Sequence, residues 1–537
     1  MRGYLRIFRR MRWPQFSLHR RAIPFAGHRA PPPFRDRVPG EFTADQELGY
    51  NDANPENGKP VPQDAPMPFP PSQPASIPSM TTHREHTPVS LYLFLVCLVG
   101  STGGFLFGFD TSVISGVIEY ISGPKVFNLG EIAKGWTVSC IIIGCMIGCA
   151  LAGPLSSRFG RKKTLILTAV VFLLSSLGCA LSSELAVFVE FRIIAGVAVG
   201  AASMLAPIYI AELSPPSHRG KLVSLNLFAI FLGQSTAFYS NYFLRDLGGA
   251  NNWRWMLAVM AIPSFLLFAS LLFAPESPRW LIAKHRREPA LKILTRINGE
   301  QEAVRELKEI EESVRNEARG KFVECFRPGI RGVLVIGILL AIFQQVTGIN
   351  VVMYYAPAIF KSAGFGNSSA LFQTALMGMV NLTFSVVSMF FVDKLGRKPL
   401  MVIGSIGMSI AMFLLALTFI SGHARGPFVL ICIMGYLAAF GFSLGPVVWV
   451  LISELFPNRV RSYAVAIATF MLWGANFVVS LTFPYLLNSL RGYSFVIYGA
   501  MCVLCLLFVV KYLHETKGKT LEQIESEIAG YNAPGAP

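Results

Sequence analysis

The chain has 537 residues, 53% of them hydrophobic and 15% charged, with a mean hydropathy of +0.50 and a formal net charge of +16. These values exclude an ordinary soluble domain and put most of the chain in a bilayer, where about 20 apolar residues make one crossing. The positive charge does not point to a nucleic-acid partner, because the basic residues stand in short blocks between apolar segments, as in the cytoplasmic loops of membrane proteins.

Residues 1–87, rich in Pro and Arg and then in Pro, Asn and Ser, read as a disordered leader. The leader lacks the apolar core of a secretory signal, and Met80, just ahead of the first apolar run, is the expected natural start. Twelve spans are predicted at about 91–118, 133–153, 164–182, 186–209, 220–244, 253–274, 330–360, 369–392, 399–420, 427–452, 462–487 and 492–513. They divide into an N-terminal six-helix half, 88–274, and a C-terminal half, 330–513, with a tail at 514–537. In the polar interval 275–329, Ala303, Leu307, Ile310 and Val314 recur among charged residues at the spacing of short amphipathic helices. The expected fold is an all-α membrane protein with a helical linker between its halves. With both termini cytoplasmic, the inner loops carry 24 Lys and Arg and the outer loops seven, which sets the expected orientation in a cell membrane.

Along the spans, polar residues stand out one at a time. Asp110 lies inside the first span, where a carboxylate costs several kcal/mol unless it is protonated or paired; such residues usually face a cavity and work there. In the seventh span, Gln344, Gln345 and Asn350 surround Gly348, which weakens the helix, and amides both donate and accept, as vicinal hydroxyls require. Gly445-Pro446 interrupts the tenth span near Trp449, and Trp473 and Asn476 are spaced along one stretch of the eleventh. Gly144-x-x-x-Gly148 and Gly196-x-x-x-Gly200 read as close-packing faces. Eight of the nine cysteines lie in apolar segments and act as small hydrophobes. No metal-ligand cluster, His pair or activated nucleophile falls within the spans, so neither an enzyme nor a cofactor is expected.

The two halves repeat. Arg158-Phe-Gly160-Arg161-Lys162 recurs as Lys394-Leu-Gly396-Arg397-Lys398, with the glycines 236 residues apart. Ala211-Glu212-Leu-Ser-Pro215, closing at Arg219, recurs as Ser453-Glu454-Leu-Phe-Pro457, closing at Arg461, with the glutamates 242 apart; Glu276 and Glu515 are 239 apart in a third pair of motifs. Duplicated six-helix halves with a site between them are a plan of secondary transporters.

These motifs, each at the end of its span and in order from about Leu91 to Glu522, resemble the sugar porter family of the major facilitator superfamily, and within it the bacterial proton-coupled pentose and hexose symporters. The resemblance implies a monosaccharide and a proton as cargo, a chain working as a monomer in the lipid bilayer, and roles for particular residues. Asp110, in Gly103-Gly104-Phe-Leu-Phe-Gly108-Phe-Asp110, matches the family's proton site, and Arg192 its partner. Gln234, Gln344, Gln345, Asn350, Tyr354, Asn381, Trp449, Trp473 and Asn476 match substrate-binding positions, with Tyr354 and Tyr355 lining the outer gate. Arg161, Glu212, Arg219, Asp393, Arg397, Glu454 and Arg461 match the charges that hold the halves together in the outward-open state. Ser157 stands where the first loop motif usually begins with an aspartate, and Leu227 and Leu472 stand where the symporters carry glutamines, so the sugar is left open among a deoxy sugar, a pentose, a differently posed hexose and a cyclitol. A uniporter of the same fold and a non-transporting sugar receptor are the rival readings.

Overall fold

In hydrocarbon every backbone N–H and C=O needs a partner within the chain, so an apolar run long enough to cross a bilayer becomes a helix. The computed structural model describes residues 90–315, 322–327, 330–422, 426–457 and 460–517; the expected leader at 1–87 and the tail beyond 517 lie outside them. Among the described residues there is no strand, and twelve helices are long and apolar enough to cross a membrane. They are, in order, Leu91–Ile121, Glu131–Phe159, Arg161–Leu181, Leu185–Leu213, Arg219–Leu244, Gly249–Phe273, Ile330–Ser362, Asn367–Leu395, Arg397–Ile420, Gly426–Ile452, Arg461–Leu490 and Tyr493–Tyr512.

The repeated loop motifs build the same device twice. Gly160 (φ +99°) and Gly396 (φ +93°) close the second and eighth spans in a backbone conformation that L side chains avoid. A carboxylate fills the space each leaves: Glu276 accepts from the N–H groups of Arg161 and Lys162 at 2.9 and 3.0 Å, and Glu515 from those of Arg397 and Lys398 at the same distances. Each acid thereby satisfies orphan donors at the start of the third or ninth span and sits on the positive end of its dipole. Burial acts to raise the carboxyl pKa of Glu515, but the backbone N–H groups around it outweigh burial and hold it below the usual range.

Small residues let the helices of each half approach. A Cβ on Gly144 or Gly196 would stand 2.0 Å from a backbone oxygen of the facing fourth or second span, so packing of these two spans requires glycine. Across the halves, the second span meets the eleventh, where a Cβ on Gly135 would lie 2.2 Å from the Leu481 carbonyl oxygen. The fifth meets the eighth, where a Cβ on Gly378 would lie 2.7 Å from the Phe238 ring.

Charge shows which end of the bundle joins the halves. At the end opposite the basic loops, Lys361 of the seventh span bonds Glu119 of the first at 2.9 Å, Lys134 adds a second bond to Glu119 at 3.3 Å, and Asn367 donates to the Tyr120 hydroxyl at 3.1 Å. At the basic end, the loop-motif charges expected to tie the halves together pair within a half in this conformation. Arg161 bonds Glu212 at 2.8 Å, and Arg397 bonds Glu454 at 2.8 Å and Asp393 at 3.1 Å. Arg219 and Arg461 turn back to the carbonyls of Ser214 and Phe456, five residues earlier. Each of these arginines thus finds its partner within its own repeat.

The linker folds as three helices, Pro278–Ala283, Arg287–Asn298 and Glu300–Arg315, around Leu281, Ala290, Leu294, Ala303 and Leu307. Glu306 is 8% exposed in this cluster and accepts from Asn298. Burial pushes its carboxyl up to about 7, against the opposing pull of Arg219 and Asn298 and with the like charges of Glu302 and Glu309 nearby. The unfolded carboxyl loses its proton lower, near 4.5, so the stability held by the protonated form, about 3 kcal/mol, is present below that pH and lost as pH rises through about 7. Amide exchange across the linker, corrected for its intrinsic pH dependence, is therefore expected to be slower at pH 5 than at pH 8, with the difference absent in Glu306→Gln. Equal protection of the wild type at both pH values would contradict this account.

Candidate functional site

Two helix breaks shape a cavity lined by residues of both halves. The seventh span stops at Val346 and restarts at Ile349. Gly348 adopts φ +98° there, and a Cβ on it would lie 2.9 Å from the Tyr498 ring. The Thr347 carbonyl freed by the break accepts from the Tyr436 hydroxyl at 3.0 Å.

The tenth span breaks at Ser443 (φ −130°, ψ −95°), ahead of the predicted Gly445-Pro446. A proline disturbs the residue four positions earlier, because it lacks the N–H that would serve that carbonyl and its ring crowds it; for Pro446 that residue is Phe442, the last of its helix segment. The Gln344 side chain spans from one break to the other, donating to the carbonyls of Leu444 at 3.0 Å and Gly445 at 3.2 Å. Gln345 in turn donates to Gln344 at 3.3 Å, and Asn350 donates to Gln345. This chain of amides orients each side chain through its neighbour, and all three residues line the cavity.

The other predicted contacts close the ring. Gln234, Gln344, Gln345, Asn350, Tyr354, Asn381, Trp449, Trp473 and Asn476 all line the cavity. Asn381 donates to Gln234 across the halves at 3.2 Å, and its own Oδ1 is buried without a partner among the described residues. Asn476 accepts from Ser480 at 2.9 Å, and the Trp473 ring lies 5.8 Å from that of Phe107 in the opposite half. Tyr355 has a non-helical backbone (φ −114°, ψ 16°) and its hydroxyl donates to the Ser480 carbonyl of the eleventh span at 2.9 Å, while Tyr354 lines the cavity. Leu227 and Leu472 both line the cavity, as do Phe107, Thr111, Phe231, Ile349, Met353 and Phe440. Sequence reasoning missed this second group: apolar residues in a span carry no mark of whether they face lipid, protein or a site, and a threonine such as Thr111 can satisfy its hydroxyl on its own helix, as it does on the Phe107 carbonyl.

Asp110 and Arg192 stand just outside the cavity. Arg192 Nη1 donates to Asp110 Oδ1 at 2.6 Å, and the residues are 1% and 2% exposed. Asp110 Oδ2 and Arg192 Nε and Nη2 have no partner among the described residues. The pair sits on the face of the first span turned to the fourth, while Phe107 and Thr111 on the same helix reach the cavity. It is a single-point contact where a two-point fork is available, and a change of charge on either member would be felt one residue from the site.

Comparison with known proteins agrees with this architecture. Residues 96–528 match the family described as Sugar (and other) transporter. The chain is 45% identical over 473 residues to a D-xylose-proton symporter of Escherichia coli, covering 81% of this chain and 96% of the relative. It is 42% identical over 454 residues to an arabinose-proton symporter of Bacillus subtilis, covering 83% and 97%. Among solved structures it resembles the partially occluded inward open conformation of the xylose transporter XylE from E. coli, with a TM-score of 0.72, 43% identity, and coverage of 80% of this chain and all of that one.

Proposed function

This multi-pass membrane chain belongs to the sugar (and other) transporter family, and on that premise we propose that it moves a pentose or hexose across the membrane by alternating access, in symport with a proton. Reading the basic end as cytoplasmic, the ties at Glu119, Lys361, Tyr120 and Asn367 close the outer side and make this an inward-facing state. Gln345, Asn350, Gln234, Asn381, Tyr354 and Asn476 hold the sugar's hydroxyls, Trp449 and Trp473 meet its C–H faces, and Gln344 positions the two breaks against each other.

The observation that carries the coupling is the Asp110–Arg192 pair, buried, joined at one point and placed on a helix that lines the cavity. A proton on Asp110 removes the charge that holds Arg192, and an unpaired buried guanidinium costs about 3–5 kcal/mol. The loaded carrier relieves that cost by repacking the first span on the fourth, which moves Phe107 and Thr111 relative to the sugar. The loop-motif charges clamp each half as a rigid body while the halves rock about the site. Substrate favours the transition only by binding the occluded state better than either open one.

The test is uptake into proteoliposomes of radiolabelled xylose, arabinose, galactose, glucose, fucose and myo-inositol, with and without an inward-directed proton gradient. A difference of one pH unit coupled one proton to one sugar should drive about tenfold accumulation. Equilibration to equal concentrations irrespective of the gradient would replace symport by uniport.

A further inference from the structure

We propose that the cavity selects a pyranose with no hydroxyl on its exocyclic carbon, a 6-deoxyhexose, and that Leu227 and Leu472 impose this choice; the inference rests on the reading of the site as a sugar carrier. The polar groups of the cavity come from four spans. Gln234 in the fifth span, Asn381 in the eighth, Gln345 and Asn350 at the break of the seventh, and Asn476 in the eleventh all line it. Within this group Asn381 is 2% exposed, with its Oδ1 unpartnered among the described residues, so an acceptor there awaits a hydroxyl.

Toward the basic end the wall turns apolar. Leu227 precedes Gln234 by two helical turns, about 10 Å along the fifth span, and Leu472 precedes Asn476 by about 6 Å along the eleventh. Both leucines line the cavity, with Trp449 on the basic-end segment of the tenth span. On the fifth and eleventh spans a sugar therefore meets an amide on the side away from the basic loops and hydrocarbon on the side toward them.

Pyranose geometry matches one such division. The ring carbon that bears the exocyclic carbon lies across the ring from C2, so a sugar that turns its C1 to C3 hydroxyls to the amides turns its exocyclic group to the leucines. A hydroxymethyl there loses its water and gains no partner, which costs about tenfold to a hundredfold in affinity. A methyl in the same place gains burial worth about fourfold over an absent carbon, so a pentopyranose is accepted but held less tightly.

The experiment compares D-galactose with 6-deoxy-D-galactose, by uptake into proteoliposomes and by quenching of tryptophan fluorescence in detergent. The wild type is expected to favour the 6-deoxy sugar by at least about tenfold. Leu227→Gln with Leu472→Gln should bring the two sugars within about threefold of each other, while the volume-conserving Leu227→Met with Leu472→Met keeps the preference. Equal handling of the two sugars by the wild type, or a preference for galactose, would overturn the inference while leaving sugar transport standing. Selective binding of the 6-deoxy sugar without uptake would support the inference and overturn the transport reading. Neither uptake nor binding of either sugar would overturn both.

Discussion

Asp110→Asn is expected to abolish proton-driven accumulation and leave exchange of sugar across the membrane running. The side chain is 2% exposed, and its Oδ1 receives one bond from Arg192 at 2.6 Å. Asparagine has the same shape and keeps an acceptor at Oδ1, so the loss is confined to the charge, about 1.5–3 kcal/mol of a charge-assisted bond. That charge is what a proton titrates away in the coupled cycle. The variant is thus fixed in the proton-loaded electrostatic state: it can rock with sugar bound but takes no work from the gradient. Under a one-unit pH difference, accumulation should fall from about tenfold to unity, while counterflow between sugar-loaded and empty vesicles stays within a few fold of wild type. Persistent accumulation in the variant would remove Asp110 from coupling and return the pair to a packing role.

Gly135→Val should stop the cycle by a different route. The second and eleventh spans meet so closely at the end opposite the basic loops that a Cβ on Gly135 would come within 2.2 Å of the Leu481 carbonyl oxygen. The obstacle is backbone, so no rotamer change relieves it, and closure of this end would require the helices to separate. A cost of even 3 kcal/mol against the closed state moves its population more than a hundredfold. Net uptake is therefore expected to fall by tenfold or more, with sugar binding retained. In the same background, Tyr354→Cys, on the cavity wall, should react faster with an impermeant maleimide added at that end. Wild-type uptake by Gly135→Val would show that the contact does not gate the carrier.

Much of the architecture follows from residues taken singly. The twelve apolar runs became twelve spanning helices because lipid offers the backbone no other partner, and the repeated loop motifs predicted two halves because each repeat carries its own glycine turn and carboxylate cap. The amides of the seventh span stood out for a similar reason: in hydrocarbon a polar side chain has few uses besides pairing or binding. Asp110 was conspicuous on the same ground.

What those residues do to one another was settled only in three dimensions. Gln344 binds carbonyls of the tenth span 100 residues away, which no spacing in the seventh span reveals. The tenth-span break falls at Ser443 rather than at the Gly-Pro pair, because the proline acts one turn behind itself. Tyr354 and Tyr355 are adjacent, yet one lines the cavity and the other bonds Ser480, as a local kink dictates. The ties between the halves, Glu119 to Lys361 and Tyr120 to Asn367, lie 242 and 247 residues apart, whereas the conspicuous loop charges pair at home. The apolar wall with Leu227 and Leu472 was least legible as a surface, for a physical reason: a span is apolar toward lipid, toward its neighbours and toward an apolar subsite alike, so hydrophobicity separates membrane from water but not one face of a helix from another. Composition and motif therefore determined that this chain is a duplicated twelve-span carrier with a buried acid, and packing decided which faces meet, at which end Glu119 and Lys361 tie the halves and what chemistry the cavity offers.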